Sequence, residues 1–514
     1  MRTTWLICGL LAVSLLQISL LWLFSVPLGV PGEWVWPRLN PIVPVVGMIW
    51  PALLMGGLLT GYVFWNAGQM ESATRRTRCL LLLGLWILGS GWILALIAST
   101  PGIAGLNRIP FVLYYTRSSG YFTQAEENRQ QVAAFLEGYQ ARIADSSNPE
   151  NHLHLGTHPP GLTLSLIGML KACESIPGLT TLLTVTQPEG VRDSVITIQE
   201  MEAGSGRAVR LRDVEAAVLW GASLLTVLFA AGACFPLYLL ARRSVPASAA
   251  WWGAAFWLLV PAIAVFVPKS DVLFAGVSMG AQCLWLLALD RNSLVTGWLT
   301  GLVMCVALTL SLAFAPVALM LLLQGIVTAV LLRTGTDGKS LLQERWKPAT
   351  GAMAALGCWL GLAGLLGKMN LLEIWLQNLR NHAAFYDHNA RTYGAWLLEI
   401  PVELGCSLGA PVALMALSGV IALLRKPDAR SFELLIPVGV WTCLWLSGKN
   451  MGEAARLWVF LMPYLLWCAT RTIQQWQSRP SGVSLLAAAF LLQMTVCVAT
   501  AIRVDGFGFS ELMK

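Results

Sequence analysis

The sequence predicts an all-α protein that crosses a membrane many times. Of its 514 residues, 56% are hydrophobic and 12% are charged, whereas soluble domains carry about 25% charged residues. Apolar runs of about 20 residues, the length that a helix needs to cross the hydrocarbon core, recur along the chain. We therefore expect a polytopic membrane protein, with a net charge of +7 that orients its helices. No basic patch with interleaved aromatic residues indicates binding to nucleic acid.

About thirteen apolar runs define the expected spans. They lie roughly at residues 5–24, 41–65, 79–99, 214–240, 250–267, 271–290, 294–310, 312–332, 349–367, 398–424, 432–447, 457–472 and 482–501. Basic residues concentrate in alternate connectors, for example Arg242 and Arg243 and the arginines of ESATRRTRC. If the amino terminus is cytoplasmic, all of these connectors are cytoplasmic, as the positive-inside rule requires. The long polar segments 100–213 and 368–397 are then external.

The first external segment contains a short apolar stretch at 161–172. About twelve residues are too few to span the membrane comfortably. We therefore expect a helix that lies at the outer interface and begins at Pro159 and Pro160; a short true span is the alternative. Farther along, TLLTVTQP and SVITIQEM have some strand character, and we expect residues 174–213 to be exposed.

All five histidines fall in the two external segments. They are His152, His154, His158, His382 and His388. Exclusion from lipid explains part of this clustering. Hydrogen bonding to a sugar or phosphate is the preferred role. The HLH and THPP sequences, together with Asp387, could instead supply metal ligands, and ordinary loop structure is the third interpretation. A divalent metal is therefore a possible cofactor, and none is certain.

Acidic residues of the first external segment are candidates for a general base, because a transfer to a hydroxyl needs a carboxylate to accept its proton. Glu126 and Glu127 begin the amphipathic stretch AEENRQQVAAFLEGYQARI, whose apolar face includes Phe135 and Tyr139. Asp145 follows this stretch. The alternative is that both glutamates form a solvated helix start that the helix dipole favours.

Cationic residues are expected at the outer mouth of the helix bundle. The segment SGKNMGEAARLWVF carries Lys449, Glu453 and Arg456, and VPKSDVLFA carries Lys269 and Asp271. Arginine and lysine at such a place can bind a phosphate or diphosphate. Glu453 and Arg456 are three residues apart and can instead simply pair on a helical turn. For Lys269, the alternative is an interface anchor.

Together these features resemble the GT-C glycosyltransferases, especially protein O-mannosyltransferases and lipid A aminoarabinose transferases. The resemblance rests on GYFTQAEENRQQVAAFLEGY, on GTHPPGLTLSLIGML and on a Leu-rich span that ends in LLARR, and it covers about residues 80–330. It implies inverting transfer of a sugar from a polyprenyl-phosphate donor to a lipid, glycan or protein acceptor outside the membrane. One departure concerns the position before Tyr121, where the family carries an acid and this chain has Ser118 and Ser119.

The resemblance also suggests roles for individual residues. The missing acid would be replaced by Glu126, Glu127 or Asp145, or else the chain has another acceptor or no activity. His158 occupies the position before Pro-Pro, where the family often has a basic residue or histidine, and is a further catalytic candidate. The donor phosphate would meet Lys449, Arg456, Lys269 and Arg391. Substrate-binding candidates are Tyr121, His154, Asp271, His382, Asp387, His388 and Glu453.

The expected organisation has three parts. Residues 1–78 form two additional amino-terminal spans, 79–472 form the GT-C-like core with external loops 100–213 and 368–397, and 473–514 form the last span with a short external tail. No N-x-S/T sequence occurs, which favours a bacterial inner membrane. A transporter or flippase for lipid-linked glycans, a surface-glycan polymerase or ligase, and a non-catalytic scaffold are the alternative functions.

Overall fold

The computed structural model describes residues 2–23, 26–40, 45–115, 119–145, 155–204, 211–333, 346–428 and 430–508. These residues are almost entirely helical, and the prediction of an all-α, polytopic membrane protein is confirmed. Within the described ranges, eight helices are long and apolar enough to cross a membrane, or up to ten if each of two bent helix pairs is one span. The count of about thirteen spans stays a prediction.

The chain divides into two compact units. The first comprises residues 1–106, 225–280 and 391–514, and the second comprises 107–224 and 281–390. Helices Asp213–Gly232 and Ser270–Arg291 contribute residues to both.

The other helices of the first unit are Arg2–Trp22, Val45–Met48, Trp50–Ala67, Arg75–Ala98, Cys234–Ala241, Ala247–Trp257, Pro261–Phe266, Tyr393–Leu408, Ala410–Arg425, Ser431–Leu446, Ala454–Leu457, Met462–Gln477 and Gly482–Ala501, with 3-10 turns at Gly102–Ala104 and Val459–Leu461. A short antiparallel hairpin pairs Gly29–Val30 with Trp34–Val35.

The core of the first unit surrounds residues 249–266, all of which are buried. Tryptophans fill this core, and a buried indole N–H must find an acceptor because the apolar interior supplies no water. Trp251 donates to the Val63 carbonyl at 3.0 Å, and Trp257 donates to the Ala230 carbonyl at 2.7 Å. The backbone of neighbouring helices therefore fixes the rotation of this central segment.

The second unit consists of Arg108–Leu113, Tyr121–Asn128, Val132–Glu137, Tyr139–Ala144, Gly161–Ser175, Pro177–Thr186, Glu189–Gly204, Leu294–Leu310, Ala315–Arg333, Lys347–Gly367 and Leu371–His388, with a 3-10 turn at Leu312–Phe314. Helices Leu294–Leu310 and Lys347–Gly367 approach each other closely. A Cβ added to Gly351 would lie 2.2 Å from the Leu294 carbonyl oxygen. Small residues allow this approach, as in helix pairs within membranes.

Three local expectations were wrong. The sequences TLLTVTQP and SVITIQEM are helical, because the packing of a segment overrides the strand preference of threonine, valine and isoleucine. The second polar segment contains helix Leu371–His388, so its histidines lie on a helix and not on a loop. The run 398–424 is broken at Gly409, where φ is +87° and the chain bends by 113°.

The break at Gly409 has a clear physical cause. A side chain there would be strained at positive φ, and its Cβ would lie 2.2 Å from the Gln493 amide nitrogen. Pro411 lies in the first turn of the next helix, Ala410–Arg425, where its missing N–H costs no helical hydrogen bond. The segment 161–172 is likewise part of a bent pair, Gly161–Ser175 with Pro177–Thr186, at 106°. Whether it lies at the outer interface stays a prediction.

Candidate functional site

Helix Tyr121–Asn128 of the second unit carries the two glutamates predicted as general bases. Glu126 is half-buried, whereas Glu127 is exposed. Burial raises the pKa of Glu126, and the negative charge of Glu215 raises it further, against the opposing effect of Arg129. Asp145 follows helix Tyr139–Ala144 and is exposed. A carboxylate with a raised pKa is better suited to accept a proton than one at its ordinary value.

An ion cluster lies beside Glu126. Arg129 pairs with Glu215 at 2.8 Å and with Glu174 at 3.2 Å. Arg212 also pairs with Glu215, whose side chain is only 1% exposed. Two cations thereby compensate the buried carboxylate of Glu215, as a buried charge requires.

This cluster was missed in the sequence because its members come from distant segments. One signal was present: Glu215 is an acid at the start of an apolar run, a costly placement that indicates a partner.

The turn that precedes helix Gly161–Ser175 is held from two sides. Tyr139 donates through its hydroxyl to the His158 carbonyl oxygen at 2.7 Å. Asn378 and Asn381 donate to the Gly156 carbonyl oxygen at 2.7 and 2.9 Å. Both asparagines belong to helix Leu371–His388 and are buried. The two polar segments predicted to be external therefore meet within this unit.

His158 lies on this turn, and its ring contacts Tyr121, the first residue of helix Tyr121–Asn128. Their ring centroids are 5.8 Å apart in an edge-to-face arrangement, and the His158 Nδ1 lies 3.0 Å from the Thr157 hydroxyl. His382 is partly buried on helix Leu371–His388. The structure therefore brings together Tyr121 and His158, two residues predicted to contribute to the site.

Several other predicted residues of this unit lie beyond what the structure describes. His152 and His154 fall outside the described residues, and for Asp387 and His388 the backbone is described but not the side chain. Among the described residues, no group of three or more His, Cys, Asp or Glu could hold a metal ion.

A second polar cluster lies in the first unit. Arg456 pairs with Glu453 at 2.8 Å, so the pairing anticipated from their spacing does occur. The Arg456 side chain is only 14% exposed, and its Nε is buried without a hydrogen-bond partner among the described residues. Asp271 is buried close by. A buried guanidinium with an unused donor is suited to receive an anion.

Lys269 belongs to this cluster. It is partly buried just before helix Ser270–Arg291. Burial lowers its pKa to about 8, and repulsion from Arg456 acts in the same direction, while Asp271 and Glu453 oppose the shift. The cluster therefore combines two cations with two acids.

The loop between helices Ser431–Leu446 and Ala454–Leu457 has an unusual backbone. Gly448, Asn450 and Gly452 all have positive φ, at 66°, 62° and 96°. Glycine and asparagine are the residues that adopt positive φ at the lowest cost. The Asn450 side chain accepts from the Trp458 indole at 3.0 Å, which holds this conformation. Lys449 is exposed on the same loop.

Arg391 lies beside this loop. A Cβ on Gly452 would be 3.2 Å from both the Arg391 Nε and the Trp34 Cβ, so arginine, hairpin and loop are in close contact. Glu33 of the hairpin accepts from the backbone N–H of Thr392 at 2.9 Å and from the Trp396 indole at 2.7 Å. Hydrogen bonds from Thr392 lower the pKa of Glu33.

Glu403 is a buried acid that the sequence prediction did not include. One oxygen accepts from the Trp36 indole at 2.8 Å and from the Ala455 N–H at 3.0 Å. The other oxygen is buried with no hydrogen-bond partner among the described residues. Glu403 lines a small cavity of about 20 Å³, enough for about one water molecule. A glutamate inside an apolar run is the signal that could have identified it.

The chain matches no protein-family model and no curated protein. Among solved structures, it is similar to the crystal structure of the Archaeoglobus fulgidus oligosaccharyltransferase in complex with Zn and sulfate. The two chains share 15% sequence identity with a TM-score of 0.35. The similarity covers 60% of this chain and 44% of the other, which is less than half of that enzyme's length. A similarity of this size does not assign the chain to a family.

Proposed function

We propose that the chain is an integral membrane glycosyltransferase that moves a sugar from a polyprenyl-phosphate donor to an acceptor on the external side, with inversion. The observation that carries this proposal is the cluster of Lys269 and Arg456 next to the ends of apolar helices. A phosphate that carries a lipid tail has to be bound where charged side chains border the hydrocarbon core of the membrane. The buried Nε–H of Arg456 makes no hydrogen bond among the described residues, which supports a phosphate oxygen as its acceptor.

Lys449 and Arg391 complete the proposed phosphate site. Both lie on or beside the loop with positive φ at residues 448, 450 and 452. In this proposal, Asp271 and Glu453 orient the cations and contact the sugar.

Glu126 is the proposed base. The acceptor hydroxyl oxygen attacks the anomeric carbon, the bond from that carbon to the phosphate oxygen breaks, and the electron pair leaves with the phosphate. Glu126 accepts the hydroxyl proton. Tyr121, His158 and His382 are proposed to contact the acceptor, and His154, Asp387 and His388 remain candidates for the same role.

The second unit has an apolar groove. It has a volume of about 530 Å³ and runs along helices Leu294–Leu310, Ala315–Arg333 and Lys347–Gly367. Its lining on the second of these helices extends from Ala318 to Ala329, a rise of about 16 Å. A groove of this length and lining suits a hydrocarbon chain.

Substitution of the glutamates tests the base. Glu126→Gln is expected to reduce transfer about 100-fold or more, because the amide cannot accept the proton. Glu127→Gln is the matched control and is expected to retain activity, since this side chain is exposed. Transfer of radiolabelled sugar in membranes measures both. If both variants remain active, Glu126 is not the base and Asp145 becomes the candidate.

Substitution of Arg456 tests the phosphate site. Arg456→Ala is expected to raise the KM for the donor about 10- to 100-fold, the effect of losing a charge-assisted hydrogen bond. Arg456→Lys keeps the charge but not the planar fork, and is expected to be intermediate. Lys449→Ala, at an exposed residue, is expected to have a smaller effect. An unchanged donor KM in Arg456→Ala refutes its role.

The proposed location is a multi-pass inner membrane with a cytoplasmic amino terminus and external catalytic segments. Reporters fused after Arg78 and after Asn148 are expected to report opposite sides of the membrane. Reporters on the same side would refute this topology.

One observation favours a second candidate, a transporter or flippase for lipid-linked glycans. Two helix pairs, Gly161–Ser175 with Pro177–Thr186 and Tyr393–Leu408 with Ala410–Arg425, are sharply bent. Discontinuous helices are typical of transporters. Purified protein in vesicles distinguishes the two: transfer of sugar to an acceptor supports the enzyme, and movement of the intact lipid-linked glycan without transfer supports the transporter.

A further inference from the structure

A basic groove lies at the carboxyl ends of helices Ala410–Arg425 and Met462–Gln477, both in the first unit. Its volume is about 560 Å³, and Arg425, Lys426 and Arg471 contribute to its lining. None of these three belongs to the proposed donor site. By the distribution of basic residues, this end of the helices is the predicted cytoplasmic end.

The polar part of the groove is suited to a phosphodiester. Gln474 and Gln475 add amide donors to the three cations. Arg471 is held in place by Asp428 at 2.6 Å and by the Ser244 carbonyl at 3.3 Å. Its Nε is nevertheless buried without a hydrogen-bond partner among the described residues. Three cations outweigh the one carboxylate that pairs with Arg471, so the groove favours an anion.

An apolar stripe continues from the groove along helix Ala410–Arg425. Ile421 lines the groove and is 39% exposed, and Leu417 and Leu424 are 58% and 64% exposed. Residues spaced by three and four positions share one face of a helix. A ligand that combines an anionic head with a hydrocarbon chain therefore fits the groove and the stripe together. A free phosphate would use only the polar part.

We propose that this groove binds the phosphate headgroup of an anionic phospholipid such as phosphatidylglycerol, with one acyl chain along the stripe of Leu417, Ile421 and Leu424. Basic pockets between helices at the cytoplasmic side of a membrane recognise such headgroups. The site is separate from the proposed transfer reaction and does not depend on it.

Native mass spectrometry of the full chain, released from micelles that contain equal amounts of phosphatidylglycerol and phosphatidylcholine, tests the proposal. The wild type is expected to retain phosphatidylglycerol in preference to phosphatidylcholine. The double variant Arg425→Gln with Lys426→Gln is expected to bind phosphatidylglycerol about 30-fold more weakly, since each cation near the surface contributes about fivefold. Both side chains are exposed, so this variant is expected to fold.

A matched control removes the same charge elsewhere. Arg75→Gln with Arg76→Gln changes two exposed arginines of the first unit, at the predicted cytoplasmic side but outside the groove, and is expected to retain the lipid like the wild type. Equal loss in both double variants, or equal retention of the two lipids by the wild type, overturns the proposal. Displacement of phosphatidylglycerol by millimolar inorganic phosphate would also overturn it, because the groove would then be a site for the free anion.

Discussion

Replacement of Glu403 by alanine is expected to lower the free energy of unfolding by about 2–6 kcal/mol, because two buried N–H donors lose their acceptor at about 1–3 kcal/mol each. These donors belong to Trp36 and Ala455, which are 3% and 1% exposed. Glu403→Gln keeps a carbonyl oxygen in reach of both donors. We therefore expect it to cost less than half as much.

Unfolding by SDS in mixed micelles, followed through tryptophan fluorescence, measures this difference. Glu399→Ala is the matched control, since Glu399 lies one turn earlier on the same helix and, among the described residues, accepts a single hydrogen bond, from the Gly29 N–H at 2.9 Å. Its loss is expected to cost about 1 kcal/mol. If Glu403→Ala is no more destabilising than Glu399→Ala, the assignment of Glu403 as the acceptor of two buried donors is wrong.

Three further predictions concern charge and packing. Donor binding is expected to weaken as the pH rises through about 8, because Lys269 loses its proton there, and Lys269→Arg is expected to remove this dependence of the donor Kd. Glu215→Gln removes a repulsion from Glu126 and lowers the pKa of that base, so the acidic limb of the pH–rate profile is expected to move to lower pH; an unchanged limb would contradict the coupling. Gly351→Val is expected to destabilise the chain by about 1–3 kcal/mol in SDS unfolding, the cost of overpacking, whereas Gly357→Val, where an added Cβ meets open space, is expected to have little effect.

Hydrophobic periodicity predicted the features of the fold that depend on residues close together in the sequence, namely the helices and their buried faces. The apolar runs correctly indicated helices, and the amphipathic stretch of the first polar segment correctly placed Phe135 and Tyr139 on a buried face. That face packs against Leu371 and Ile374, an association that no local pattern encodes. The break at Gly409 was missed because the apolar pattern continues through it, and its contact with Gln493 joins residues that are far apart in the sequence.

The candidate site was less predictable, because its geometry depends on long-range hydrogen bonds. The sequence analysis assigned no role to Asn378 and Asn381, yet they hold the turn that carries His158. Glu215 and Glu403 lie in apolar runs. A carboxylate inside a membrane costs free energy unless it has a partner, and this could have identified both residues from the sequence. The roles of the predicted site residues stay predictions until the variants are tested.

The burial of residues 249–266 on every side has a consequence for biosynthesis. Two of its anchors precede the segment in the chain, since Val63 and Ala230 are made before the tryptophans that bond to them. Other neighbours, Thr470 beside Gly253 and Gln493 at the Leu259 carbonyl, are made more than 200 residues later. A nascent chain that stops before these residues would leave one side of its central helix uncovered. We therefore expect carboxyl-terminal truncations to be degraded rather than to persist as stable fragments.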